Sequence, residues 1–423
     1  MRTLLRGGLV IDTDPEVVAR RATDVLIEDG RIAAVGPTLI ADVEAAGVEV
    51  IDATERIVLP GFVDTHRHLW QTALRGVAAD GDLGLYFERV LGGYGAHFRP
   101  EDVAAGNLVG ALECLNAGVT TVQDFSHVQS SDAHADAALD ALQDSGIRAV
   151  FGYGPSPLGG GAVSPDGMRR IMDRASERIG LAVAAIGPSF APFETVRADW
   201  ELADSLGLPV VVHISSSSLA TDPITRLRDA GLLRSNTLYV HGNNLPDSEF
   251  KLIAESGAAV SVTPSVEARM EIGAPLAGRL QSAGVNLSLG IDVVTTAAGD
   301  MFAAMRELLA LGYQAFTAAD VLRIATLEGA RALGQTDVGS LAVGNQADLV
   351  LLRSTDINLV AHLGDPIATV VTSAHPGNVD TVFVGGTAVK RNGELVSPPL
   401  AGALDALAES AAYLGSAGRE QRS

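Results

Sequence analysis

The chain has 423 residues, of which 47% are hydrophobic and 19% charged, and it carries a formal charge of −21. That composition supports a large buried core and excludes disorder over most of the length, which suits one large barrel plus a smaller domain. The acidic balance speaks against nucleic acid and anionic membrane surfaces as partners, since both demand a positive face.

From the start of the chain, residues 1–12 show no long apolar core before charge appears, so no signal peptide is expected. No apolar run approaches the length of a membrane span, and a cytoplasmic protein is expected. Residues 4–11, 24–35 and 48–52 read as short strands, with Glu28-Asp29-Gly30 as a hairpin signal. From residue 57 the texture changes to alternating strands and helices. The run 57–66 comes first, followed by strand candidates at 118–122, 148–151, 182–186, 209–213, 237–241, 258–262 and 286–290. Helical stretches such as 132–145, 167–178 and 247–255 fall between them. Eight apolar strands at crossover spacing imply a parallel sheet closed into a (β/α)8 TIM barrel of the α/β class. Residues 340–398 return to short strands, among them 348–352 and 380–386. The expected organisation is a composite β-sandwich domain from 1–58 and 340–400, a barrel over 59–339, and a C-terminal helix and tail over 401–423, with 415–423 frayed. Cys114 is the only cysteine, so no internal disulfide and no thiolate-rich zinc cluster can form, and it is expected as a small core residue of a helix.

The chemistry gathers at strand ends. His66 and His68 close the first strand two residues apart, and alternate residues of a strand share a face, so both can aim at one cation with Arg67 turned away. His213 ends the fifth strand, His241 the sixth, and Asp292 follows the eighth. Parallel barrels collect functional residues at these C-terminal ends. Imidazoles plus a carboxylate suit one borderline divalent metal, zinc first, with iron, manganese or cobalt open. Such a metal lowers the pKa of a bound water; Asp292 can accept its proton, and His241 is placed to polarise a substrate.

The run Pro60-Gly61-Phe62-Val63-Asp64-Thr65-His66-Arg67-His68 resembles the signature of the amidohydrolase superfamily, and the resemblance spans nearly the whole chain. The residues at 117–122 and 344–351 are similar to that family too. More narrowly, the chain resembles the mononuclear cytosine-deaminase-like and chlorotriazine-hydrolase-like branch. The resemblance implies hydrolysis at an electrophilic carbon, with His66, His68, His213 and Asp292 as the metal set and His241 as the sixth-strand histidine. Two-metal relatives usually bridge their ions with a carbamylated lysine after the fourth strand. Residues 186–192 hold no lysine, and the only two in the chain are Lys251 and Lys390, so one metal is the better reading. Glu194 is the remaining candidate bridge.

One departure matters. Deaminases of this branch carry His-x-x-Glu after the fifth strand, where the glutamate passes a proton to the leaving amine. This chain has Ser216 there, and a hydroxyl cannot act as an acid near neutrality. Three explanations stay open. Glu267, just after the seventh strand, reaches in as a substitute catalytic group; Asp292 and His241 share every proton transfer; or the leaving group needs no acid. The alternative for Glu267 is a solvated loop position or a partner to Arg269. The long loop at 69–98 follows the first strand, so Trp70 and Gln71 are the first substrate-contact candidates, with His127 after the second strand beside them.

The expected function is metal-dependent hydrolysis of a non-peptide C–N bond in a small molecule, such as a cyclic amide, amidine or aminoheterocycle. Hydrolysis of an amide in a modified peptide or natural product is the runner-up. A catalytically inactive barrel that binds a metal or ligand is the alternative from a different class. Relatives of this branch are often dimers, so a homodimer is expected.

Overall fold

The structure, a computed structural model, describes residues 2–40, 47–159, 161–312, 315–360, 364–396 and 400–420. Five strands come first: β1 (Arg2–Asp12), β2 (Val18–Glu28), β3 (Arg31–Gly36), β4 (Glu49–Asp52) and β5 (Arg56–Pro60). Then follow β6 (Phe62–Arg67), β7 (Val119–Ser126), β8 (Arg148–Tyr153), β9 (Ile179–Ala185), β10 (Val210–Ile214), β11 (Thr237–His241), β12 (Ala259–Val262) and β13 (Asn286–Leu289). The last four are β14 (Leu349–Arg353), β15 (Val379–Val384), β16 (Thr387–Arg391) and β17 (Glu394–Leu395).

Strands β6 to β13 form one eight-stranded parallel sheet in chain order, with helices in the crossovers. Helices on the outside and packed side chains on the inside bury both faces, which is why β7 and β8 are buried at every position. Backbone bonds between the first and eighth strands close the barrel. His66 O accepts from Asp292 N at 2.8 Å, and Asp292 O accepts from His68 N at 2.9 Å. Closure and the functional residues therefore share one seam.

The flanks of the chain meet in a nine-stranded sheet, where β14 pairs antiparallel with β5 and β15 to β17 continue outward. It carries its own apolar cluster, with Leu5, Val25 and Val58 from one flank and Leu349, Leu351 and Phe383 from the other. The run expected as one strand, 57–66, divides at Gly61: β5 belongs to this sheet and β6 to the barrel. A Cβ on Gly61 would lie 2.0 Å from Thr120 Oγ1, so only glycine lets the chain pass from one sheet to the other there.

The C-terminal helix Leu400–Glu420 packs on the helix Pro100–Asn116, with the Arg99 guanidinium 3.7 Å from the Tyr413 ring centroid. The expected fraying from residue 415 is not found. Helix-forming alanines and the buried Leu414 carry the helix to Glu420, and residues 421–423 lie outside the described residues. Cys114 is buried within Pro100–Asn116, as expected. Among the described residues no helix is long and apolar enough to cross a membrane.

Candidate metal centre and its cavity

Strand alternation delivers His66 and His68 together, their rings edge to face with centroids 4.7 Å apart. Arg67 points the other way. Its Nη2 lies 2.5 Å from Glu113 Oε2, and its Nη1 donates to Gly299 O at 3.1 Å. The eighth strand comes close enough to complete the group because Gly290 has no side chain: a Cβ there would sit 2.9 Å from His66 Cβ. His66 Nε2 is 3.1 Å from His213 Nε2 and 3.4 Å from Asp292 Oδ1, and His68 Nε2 is also 3.4 Å from Asp292 Oδ1. The second oxygen of Asp292 faces His241, with Oδ2 3.5 Å from Nε2.

These spacings suit a cation. Tetrahedral zinc bonded to nitrogen or oxygen at about 2.0–2.1 Å sets its ligand atoms about 3.3–3.4 Å apart. Two imidazole nitrogens in contact can share one proton at most, so the cluster has lone pairs to offer. The Nδ1–H of His68 donates to Phe125 O at 2.8 Å, which leaves Nε2 as the free base. Burial, followed by the neighbouring imidazoles, holds His68 and His213 well below the ordinary histidine range. His241 behaves differently. Burial alone would lower its pKa, but the hydrogen bond to Glu267 and the charges of Asp292 and Glu267 together raise it. The backbone is strained at two of these residues, with φ +66° at His241 and +71° at Asp292. Such positions cost about 1–3 kcal/mol each and persist where the surroundings hold them.

Glu267 is buried and does not reach into the cavity as a substitute acid, nor is it solvated or paired with Arg269, whose guanidinium bonds Ala79 O. Its Oε1 accepts from His241 Nδ1 at 3.3 Å and from Thr263 N at 2.9 Å, while its Oε2 accepts from Asn243 Nδ2 at 3.1 Å. It stands behind His241 because the short helix Pro264–Arg269 turns away directly after β12. Ser216 is half-buried, its Oγ donating to Thr221 O at 2.8 Å, and does not line the cavity. No lysine lies in the cluster among the described residues: Lys251 is exposed, and Lys390 Nζ donates to Asn116 O at 2.7 Å. Glu194 is exposed in the first turn of the helix Phe193–Leu206.

A cavity of about 290 Å³ opens over the cluster, bordered by His68, His127, His213, His241 and Asp292. Trp70 and Gln71 do not line it. After His68 the chain coils into a short helix, Leu69–Leu74, and this breaks the strand alternation that carried the histidines inward. Trp70 packs edge-on against His127 and Phe98, with centroids 5.5 and 4.8 Å away. Gly106 makes room beneath it, since a Cβ there would lie 2.5 Å from Trp70 O. Gln71 Nε2 donates to Tyr86 Oη at 2.7 Å, and Tyr86 does border the cavity. His127 also borders it, with neither ring nitrogen hydrogen-bonded among the described residues. Burial pushes its pKa down to about 3.

Phe125 and Asn243 were not singled out from the sequence, whereas Tyr86 lies in the loop 69–98 expected to line or cover the site. Phe125 packs on His213 at 4.4 Å between centroids. Asn243 had a signal, since it follows His241 by two residues, but its partner Glu267 is brought near only by the fold.

Residues 57–389 match the model of the Amidohydrolase family. A 5-methylthioadenosine/S-adenosylhomocysteine deaminase of Symbiobacterium thermophilum is 30% identical over 92% of this chain and 93% of its own length. A 5′-deoxyadenosine deaminase of Methanothermobacter thermautotrophicus is 32% identical over 91% of this chain and 94% of its own. Among solved structures, an adenosine deaminase of Xanthomonas campestris with bound zinc superposes with a TM-score of 0.87 at 27% identity, covering 98% of both chains. An atrazine chlorohydrolase of Arthrobacter aurescens complexed with zinc superposes at 0.86 and 22% identity, over 97% of this chain and 100% of that one, a likeness of fold alone.

Proposed function

The chain belongs to the amidohydrolase family, and on that premise we propose that it hydrolyses a non-peptide C–N bond of a small molecule at a single zinc site. The observation that carries this is a pair of triads that share His66 beneath a cavity: Asp292 Oδ1 lies 3.4 Å from both His66 and His68, and His213 lies 3.1 Å from His66 and groups with it and His241. These four side chains would hold the ion. Bound there, zinc supplies Lewis acidity and a nucleophile available at neutral pH.

The remaining work falls to the protein. Asp292 Oδ1 faces the ligand histidines and Oδ2 faces His241, so one carboxylate spans the metal site and the proton-transfer pair. Asp292 takes up the proton released as the nucleophile attacks. Glu267 accepts from His241 Nδ1, which fixes the ring and turns Nε2 towards Asp292 and the cavity. The two carboxylates favour its protonated form, in which His241 can stabilise negative charge on the substrate and return a proton to the leaving nitrogen. This assigns to His241 and Asp292, with Glu267 as a positioning residue, the task that a glutamate at position 216 would have. His127 and Tyr86 touch the substrate.

The resemblance to nucleoside deaminases favours an amine leaving group on a heteroaromatic ring. The placement of Ser216 outside the cavity favours a second reading, hydrolysis of an amide in a modified peptide or other natural product. We place the enzyme in the cytoplasm as a homodimer, with the domain boundaries expected from the sequence except that β5 carries the composite domain on to Pro60.

The test is metal content of the purified protein together with release of ammonia or amine from panels of aminoheterocycles, amidines and amides. One ion per chain and turnover on either panel support the proposal. Two ions overturn the single-metal site, and one ion without turnover on any panel favours the inactive binding barrel.

A further inference from the structure

We infer that the cavity selects an unsaturated substrate head with an apolar substituent and discriminates against ribosides; the inference rests on the hydrolytic site proposed above.

The walls decide this. Leu83, Phe87 and Leu91 form one side, from the loop after the first barrel strand. Pro155, Pro157 and Leu158 come from the loop after β8, and Ile186 and Phe190 from the loop after β9. Met270 and Ile272 complete the enclosure. Leu158 and Phe190 are 57% and 43% exposed although they border the cavity, so apolar surface continues out through its mouth. Exposed apolar surface rimming a cleft marks a place where apolar ligand surface docks.

The polar inventory is short. Among the described lining residues there is no lysine, arginine, glutamate, asparagine, glutamine or threonine, so outside the metal site and His241 the walls offer a substituent no charged partner. The Ser215 hydroxyl is already engaged by Asn244 Oδ1 at 3.1 Å. Outside the metal cluster, the free groups are the two nitrogens of His127 and the phenolic proton of Tyr86, whose oxygen already accepts from Gln71. They can serve the ring nitrogens or carbonyl of a planar head. A ribose would bury several hydroxyls against the apolar walls without partners, at a cost for each.

The test is binding to the zinc-loaded protein of two neutral probes with the same aminoheterocyclic head, 9-hexyladenine and adenosine, measured by calorimetry. Apolar pockets discriminate against added hydroxyl groups by factors on the order of 10², so 9-hexyladenine is expected to bind about tenfold to a hundredfold more tightly. Leu158→Glu, at an exposed position, should weaken 9-hexyladenine about tenfold and leave adenosine within twofold, with metal content unchanged as the check on folding. Adenosine binding as tightly as 9-hexyladenine, binding of neither probe, or an unchanged ratio in Leu158→Glu would overturn the inference. A preserved preference without release of ammonia leaves the selectivity standing and counts against deamination of the ring, so the two proposals fail separately.

Discussion

Where the barrel strands begin, Arg148 of β8 reaches Asp348 with Nε and Nη2 at 2.8 and 3.2 Å, and Asp348 Oδ1 also accepts from Gly385 N. Both charges of this pair are satisfied in good geometry, and the pair joins the barrel to the composite sheet. Where the strands end, His66, His68, His213 and Asp292 crowd together with lone pairs left over, on a backbone strained at His241 and Asp292. The first end is arranged for stability. The second holds lone pairs that a bound ion would satisfy, on a strained backbone, a distribution expected where function is selected against stability.

Breaking each end should therefore give opposite results. His66→Ala should take bound zinc from one ion per chain to none and reduce turnover to background, while the apo form melts no lower than apo wild type. Elemental analysis and thermal melts check both halves. A large loss of apo stability would mean that the histidines hold the barrel together. Asp348→Ala should do the reverse. It leaves the Arg148 guanidinium buried without its partner, a loss of about 3–5 kcal/mol, with one ion still bound per chain. Urea denaturation read beside metal content separates the two.

Within the functional end, Glu267→Gln sharpens the division between holding metal and moving protons. Partners standing behind a functional histidine are worth about 10- to 100-fold. Turnover should fall by that factor with KM and zinc content nearly unchanged, and the alkaline limb of the pH–rate profile should move to lower pH as His241 loses its stabilising carboxylate. Unchanged turnover and profile would show that Glu267 only fills space.

The same contrast explains what could be read in the sequence. The barrel and the five polar residues were legible because strand periodicity and strand ends are local properties, and the His-x-His pair announces its own face. The roles of Trp70 and Gln71 were not, because the helix Leu69–Leu74 follows the ligands at once and replaces a period of two with coiling. Glu267 was found as a residue, but its orientation depends on His241 and Asn243, which lie after another strand, as well as on Thr263 four residues before it. The division of 57–66 at Gly61 was hidden for a related reason: its cause is Thr120, nearly sixty residues away along the chain.

The smallest expected effect concerns the wall of the cavity. Asp199, in the helix Phe193–Leu206, is fully buried, and its Oδ1 accepts from Val163 N at 2.7 Å, anchoring the loop that carries Leu158. Burial pushes its pKa up to about 6, against the lowering by that hydrogen bond. A carboxyl whose folded value exceeds its unfolded one stabilises the fold below the ordinary aspartate range, and that contribution is lost as pH rises through the folded value. Wild type should therefore lose stability between about pH 4 and pH 7 relative to Asp199→Asn, which keeps the acceptor and has no such proton to lose. At pH 8 the variant should be the more stable by at most about 3 kcal/mol, with the difference shrinking towards pH 5. Urea denaturation of both proteins at the two pH values measures this. A difference independent of pH would show that folding leaves the carboxyl's titration unshifted over this range, and that burial does not raise it.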